Sequence, residues 1–322
     1  MTSAVKTEFG LIETYFNQQG SHREDVDLAI GDDGALMTVP DGHQLVVSTD
    51  TMVLGTHFLS DADPAWVGHK ALSSNLSDII AMGATPTWVS LALTLPAIDE
   101  QWLQGFCDGF FTLAKDYNVT LVGGDTTSGP LAITVTIHGT VPRGEAWLRC
   151  NAKVGDKIYV SAELGDSQAG LDYVLDPRLE SDVKSTLLSR HFRRYPPLSL
   201  VKSLSGKICC ALDISDGLIA DLGHILKASQ VGAVIDADKL PLSAELITHC
   251  EGDEQRAKQM ALASGEEYAL CFTAPAALEL HDLPVHCIGH ITDSAHLEIT
   301  TAGKPVTWPL KGYDHFGKTD ES

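Results

Sequence analysis

Apolar residues at Phe9, Ile12 and Phe16 recur at helical spacing and predict an opening amphipathic helix. Gln44 to Ser48 reads as a short strand running into Thr49-Asp50, and Trp66 to Met82 as a helix with Val67, Ala71, Leu72 and Ile79 on its apolar stripe. On that helix Asn75 and Asp78, three apart, share a face. Trp88 to Leu95 is a nearly continuous apolar run, which suits a buried strand, and Trp102, Phe106, Phe110 and Leu113 mark the helix after it. Strand signals return at Val119 to Val122, just before Gly123-Gly124-Asp125-Thr126-Thr127. Leu131, Ile133, Val135 and Ile137 then alternate as a half-buried strand does.

Between Pro142 and Gly155 the periodicity lapses into Gly, Pro, Asn and charged residues, and a new strand starts at Lys157 to Ser161. The pattern predicts two domains, residues 1–150 and 151–322. In the second, Lys207 to Ile214 reads as a strand, Ser215-Asp216-Gly217 as a turn, and Leu218, Leu222, Ile225 and Leu226 as the stripe of a helix. Further strands are predicted at Ala233 to Ile235, Tyr268 to Thr273 and His286 to Ile291, giving a mixed α/β chain.

The composition narrows the partners. The 322 residues include 22 Lys and Arg against 43 Asp and Glu, a net charge of −21, which disfavours nucleic acid or an anionic membrane as the main partner. No apolar stretch approaches the ~20 residues of a membrane span, and Met1 to Gly10 lacks a leader's apolar segment, so a cytoplasmic location is expected. Seven cysteines without a C-x-x-C pair are expected to be reduced, mostly buried thiols.

Several motifs fail on their physical context. Gly312 to Thr319 satisfies the letters of a P-loop, but three residues are too few for the helix whose N-terminus receives the phosphates. Asp236-Ala237-Asp238 has Pro241 where a calcium loop needs glycine. The thirteen histidines show no metal-ligand spacing, and Arg190, Arg193 and Arg194 read as a solvated face.

What remains is a set of aspartates: Asp33, Asp50, Asp78, Asp125, and Asp213 with Asp216. Each alone is explained by a turn or a helix cap. Together the balance changes, because three of them sit where a predicted strand ends and glycines flank the set. So many carboxylates repel one another unless a cation shares them, and with the Ser48 and Thr49 hydroxyls they suit Mg²⁺ bridging to a polyphosphate. That is a route to phosphoryl transfer without a P-loop or a basic groove.

Gly31-Asp-Asp33, Ser48-Thr-Asp-Thr51, Asn75-Leu-Ser-Asp-Ile-Ile-Ala-Met-Gly-Ala84, Gly123-Gly-Asp-Thr-Thr127, Leu212-Asp-Ile-Ser-Asp-Gly-Leu218 and Lys311-Gly-Tyr-Asp-His-Phe316, in this order, resemble the thiamine-monophosphate kinase family over nearly the whole chain. The resemblance implies the two-domain fold of the aminoimidazole-ribonucleotide synthetase superfamily, with an N-terminal ATP/Mg-binding and dimerisation domain, a C-terminal α/β domain, and a homodimer. It implies transfer of the ATP γ-phosphoryl group to thiamine phosphate with several Mg²⁺ ions. By position it makes Asp33, Ser48, Thr49, Asp50, Asp78, Asp125, Asp213 and Asp216 metal ligands. ATP then contacts Gly124, Asp125, Arg149 and Ser215, and thiamine phosphate contacts His57, Glu266 and Tyr313. No general base is assigned, since the acceptor is already an anionic phosphate oxygen. Ser264-Gly265-Glu266-Glu267 stands where the family often reads Gly-Gly-Glu-Asp, and Asp33 is preferred to Asp32 on resemblance alone. Two other readings remain open at this point: another ATP-using enzyme of the superfamily, or a non-enzymatic acidic metal-binding protein.

Overall fold

The computed structural model describes residues 7–17, 23–310 and 313. The chain divides into two compact units, one of residues 1–80 and 84–144, the other of 81–83 and 145–322. The C-terminal motif from Lys311 to Phe316 and the P-loop-like segment lie outside the described residues, apart from Tyr313.

The first unit opens with α1 (Glu8–Leu11), continued by a π-helical turn at Ile12–Phe16, and a short antiparallel pair, β1 (Val26–Leu28) and β2 (Leu36–Met37). There follow β3 (His43–Val53), α2 (Pro64–Ala81), β4 (Thr85–Leu95), α3 (Glu100–Asp116), β5 (Thr120–Ser128) and β6 (Ala132–Pro142). The sheet order is β3-β6-β4-β5, with β4 and β5 parallel across the α3 crossover and the other pairs antiparallel. Asp99 starts α3 by accepting the N–H groups of Gln101 and Trp102, both at 3.0 Å. Val67, Leu72, Leu76 and Ile79 of α2, Phe106 and Phe110 of α3, and Ile133, Val135 and Ile137 of β6 are buried, so the helices cover one sheet face. On the other face Leu45 and Val47 of β3 are exposed.

In the second unit come β7 (Lys157–Val160), α4 (Asp166–Leu175), α5 (Lys184–Phe192), α6 (Leu198–Leu204), β8 (Cys210–Asp213), α7 (Leu218–Ser229) and β9 (Gly232–Asp236). They are followed by α8 (Ala244–His249), α9 (Glu254–Ala263), β10 (Leu270–Ala274), β11 (His286–Thr292), β12 (Leu297–Thr301) and β13 (Lys304–Val306). The seven strands run β13-β12-β9-β11-β7-β10-β8, and β12 with β9 is the parallel pair. The main core joins Ile158, Val160, Leu212, Ile214, Leu222, Ile225, Ile235 and Ile288. A smaller cluster of Ala169, Tyr173, Leu187, Leu246 and Ala257 ties α4, α5, α8 and α9 together.

Two strand ends differ from the sequence reading. Asp50 and Asp125 lie inside β3 and β5, because the ladders to β6 and β4 carry the backbone on through polar residues. Asp213 does close its strand. All seven cysteines are unpaired, four of them buried. Among the described residues no helix is long and apolar enough to cross a membrane.

Candidate functional site

Side chains alternate across a strand, so β3 sends Ser48 and Asp50 to one face and Thr49 to the other. Near the end of α2 Asp78 meets the first pair, with Ser48 Oγ donating to Asp78 Oδ2 at 2.5 Å. Burial, and then the neighbouring charge of Asp78, push the Asp50 carboxyl up to about 6 against a hydrogen bond from Ser74. One α2 turn earlier, the buried amide oxygen of Asn75 accepts no hydrogen bond among the described residues. Thr49 Oγ1 instead pairs with Thr136 Oγ1 at 2.9 Å on the open face. The structure therefore does not bring its side chain together with Ser48 and Asp50.

Asp125 shares that open face. The register pairs it with Ala92, Ala92 with Thr134 and Thr134 with Thr51, a single row across the sheet. Asp33 and Asp125 line one cleft of about 900 Å³, together with Gly124, Ser90 and the apolar Phe16 and Leu121. Asp32 Oδ1 accepts the N–H of Asp33 at 2.8 Å within the Gly31 to Gly34 segment. The acids of this unit thus form two groups, Asp50 with Asp78 and Asp33 with Asp125. Among the described residues no three His, Cys, Asp or Glu side chains converge closely enough to hold a metal ion by themselves.

His57 follows β3 in a tight turn where the Val53 N–H donates to its Nδ1 at 3.0 Å, so the neutral ring carries its proton on Nε2. The buried Lys70 donates to the His57 carbonyl at 3.3 Å.

Apart from Arg149, the candidates of the second unit lie at the end of β8 or on the loop after it, or bond to that loop. The Ser215 carbonyl accepts the Glu266 N–H at 2.7 Å, and the Asp216 carbonyl accepts the Tyr313 N–H at 3.0 Å. The sequence reading did not include Asp221, whose buried carboxylate holds this loop by accepting the N–H groups of Ser215 at 3.0 Å and Asp216 at 2.9 Å. Burial pushes this carboxyl up to about 6, only partly opposed by those hydrogen bonds. Its signal was an acid in the first turn of a helix after a Ser-Asp-Gly turn.

Glu266 has a left-handed backbone, φ 55°, and its side chain is 28% exposed, whereas that of Glu267 is fully buried. Glu267 accepts from Gly165 N at 2.7 Å, Ser167 N at 3.3 Å and Ser264 Oγ at 2.6 Å, and pairs with Arg194. Of the two acids, Glu266 is the accessible one. The same contacts correct the solvated-face reading of the arginines: Arg194 is committed to Glu267, and Arg190 to Asp166 at 2.8 Å and Glu245 at 3.1 Å. Arg193 does stand exposed. Arg149 is exposed on a single 3₁₀ turn whose carbonyl accepts Ser229 Oγ at 2.8 Å, so the backbone is anchored and the guanidinium reaches solvent.

The family models for the N-terminal and C-terminal domains of AIR synthase related protein match residues 31–141 and 153–302. The thiamine-monophosphate kinase of Escherichia coli K12 is 49% identical over 321 residues, spanning 96% of this chain and 98% of the relative. The crystal structure of thiamine-monophosphate kinase from Stenotrophomonas maltophilia K279a is 41% identical with a TM-score of 0.81, covering 88% of this chain and 93% of that one. A structure of AaThiL complexed with AMPPCP and TMP is 34% identical with a TM-score of 0.79, covering 89% of this chain and 92% of that one.

Proposed function

The chain belongs to the thiamine-monophosphate kinase family, within the AIR synthase related proteins, and from that premise we propose that it transfers the γ-phosphoryl group of ATP to thiamine phosphate, giving thiamine diphosphate and ADP. The observation that carries the reading is the near-full-length likeness to those kinases, and the acids, hydroxyls and glycines of the quoted motifs are consistent with it.

The donor chemistry fits Mg²⁺. Asp50 is crowded by Asp78, and the Asn75 oxygen, which accepts no hydrogen bond among the described residues, lies one turn from Asp78, so both gain from a divalent cation. Mg²⁺ takes one or two protein carboxylates and fills the rest of its octahedron with water and phosphate oxygens, so acids in separate groups suit it better than a closed cage. In this reading Asp33, Ser48, Thr49, Asp50, Asp78, Asp125, Asp213 and Asp216 hold the ions. When bound, the ions neutralise the charge that two approaching phosphates share.

The chain's own groups orient the substrates. Gly124 leaves the backbone beside Asp125 open to the nucleotide, Ser215 offers a hydroxyl beside Asp216, and the Arg149 guanidinium meets phosphate oxygens. His57 Nε2–H donates toward the acceptor phosphate, Tyr313 presents a ring face to the cationic thiazolium, and Glu266 supplies a counter-charge. In-line transfer then depends on orientation and charge, with no base needed at an anionic acceptor. A second copy of the chain covers the open sheet face at Leu45 and Val47, making the protein a homodimer. A cytoplasmic location, where free thiols persist, completes the proposal.

The test is to incubate the protein with ATP, Mg²⁺ and thiamine phosphate and separate the products, beside EDTA and free-thiamine controls. Metal-dependent thiamine diphosphate and ADP from the monophosphate alone support the reading. A folded protein that turns over none of these overturns it.

A further inference from the structure

Behind Glu266 lies a buried imidazole that the substrate contacts above do not use. His191, at the end of α5, is 2% exposed, and its Nε2 stands 3.8 Å from Glu266 Oε2, an ion-pair distance. Its Nδ1 lies 3.1 Å from both the carbonyl oxygen and Oγ of Ser167. A carbonyl only accepts, so Nδ1 carries a proton, and the contact of Nε2 with the carboxylate is an ion pair when Nε2 carries one as well, the ring then being an imidazolium with a donor on each side. Phe192 packs edge-on against the ring at 4.7 Å and 83°, which limits its rotation.

The first turn of α4 is the common anchor. The backbone N–H of Ser167 bonds Glu267, while its carbonyl and hydroxyl bond His191, which faces Glu266. The one acid is therefore sewn in directly and its neighbour reached through the imidazole, while the intervening backbone sits in a left-handed conformation at Glu266.

We propose that His191 is a positioning residue for thiamine phosphate, oriented by Ser167 and holding the Glu266 carboxylate where it meets the substrate. The inference rests on the assignment of Glu266 as a substrate contact. The ring is too deeply buried to touch substrate itself, so its effect reaches binding through Glu266 alone.

Two amide variants separate the ring nitrogens. Asparagine places an amide nitrogen near the Nδ1 position and keeps the bond to Ser167, whereas glutamine reaches the Nε2 position and keeps the contact to Glu266. His191→Asn raises KM for thiamine phosphate about tenfold, with kcat and KM for ATP within about twofold. His191→Gln stays within about threefold of the wild type. Glu266→Gln raises the same KM, and His191→Asn adds nothing to it in the double variant. Ser167→Ala, which leaves the imidazole in place, is the second variant should His191→Asn fail to fold, and it raises the same KM about threefold. Equal losses in the Asn and Gln variants, or additive losses in the double variant, overturn the inference. A raised KM in Glu266→Gln beside an unchanged one in His191→Asn overturns the inference alone. An unchanged KM in Glu266→Gln overturns the substrate assignment of Glu266 and the inference with it.

Discussion

Gly123 and Gly124 are neighbours in one motif, yet the structure gives them opposite tolerance for a methyl group. A Cβ built on Gly124 falls 1.8 Å from the Leu91 carbonyl oxygen and 2.6 Å from its carbon, while one built on Gly123 meets nothing within 4 Å. Since Cβ atoms do not approach such neighbours closer than 3.0 Å, β5 has to retreat from β4 by more than about 1 Å in Gly124→Ala. Ladder hydrogen bonds stretched that far are no longer bonds. Losing two of them costs about 1 kcal/mol each, and the residual overpacking about 1–2 kcal/mol, for a total near 3–4 kcal/mol. At roughly 2–4 °C per kcal/mol for a unit of this size, Tm falls by about 6–16 °C. Gly123→Ala, with open space around it, stays within about 0.5 kcal/mol of the wild type. Thermal and urea unfolding of the two variants side by side reads the difference. Equal melting points for the two would refute the close-approach argument, and with it the structural account of why position 124 carries no side chain.

Asp78→Asn keeps the size of the side chain but removes the charge next to Asp50; kcat falls at least about a hundredfold while circular dichroism is unchanged, and a wild-type kcat would contradict the metal assignment. Tyr313 is 55% exposed, so Tyr313→Ala shifts folding by no more than about 0.5 kcal/mol but raises KM for thiamine phosphate about tenfold, which steady-state kinetics will show. Asp221 has its folded pKa raised, so its contribution to stability is fully present below about pH 4 and is lost as the pH rises through about 6. The stability of the wild type relative to Asp221→Asn therefore declines between pH 4 and pH 7 by up to about 3 kcal/mol; urea unfolding at both pH values tests this, and a constant difference would rule it out.

The long apolar elements were legible in the sequence because their periodicity is their packing: α2, α3, β4 and α7 stand within a few residues of their predicted spans. The strand interiors around Asp50 and Asp125 were not, since polar and glycine residues in β3 and β5 read as turns until their ladder partners are known. Helix α4 was missed for a related reason. Its first turn buries Asp166 and Ser167, and the partners that make this affordable, Arg190, His191, Ser243 and Glu267, come from distant segments. Site residues embedded in contiguous motifs were visible one by one. Asp221 and His191 become visible only through contacts that the fold creates, as does the buried role of Glu267, an acid that the sequence shows beside Glu266.

The most direct test of the central claim follows the phosphoryl group itself. ATP bearing ¹⁸O in its γ-phosphoryl oxygens is incubated with the protein, Mg²⁺ and thiamine phosphate, and the products are weighed by mass spectrometry. Direct transfer places the label in the terminal phosphoryl group of thiamine diphosphate and leaves ADP unlabelled. Label recovered only as inorganic phosphate, with thiamine phosphate unchanged, would contradict the account.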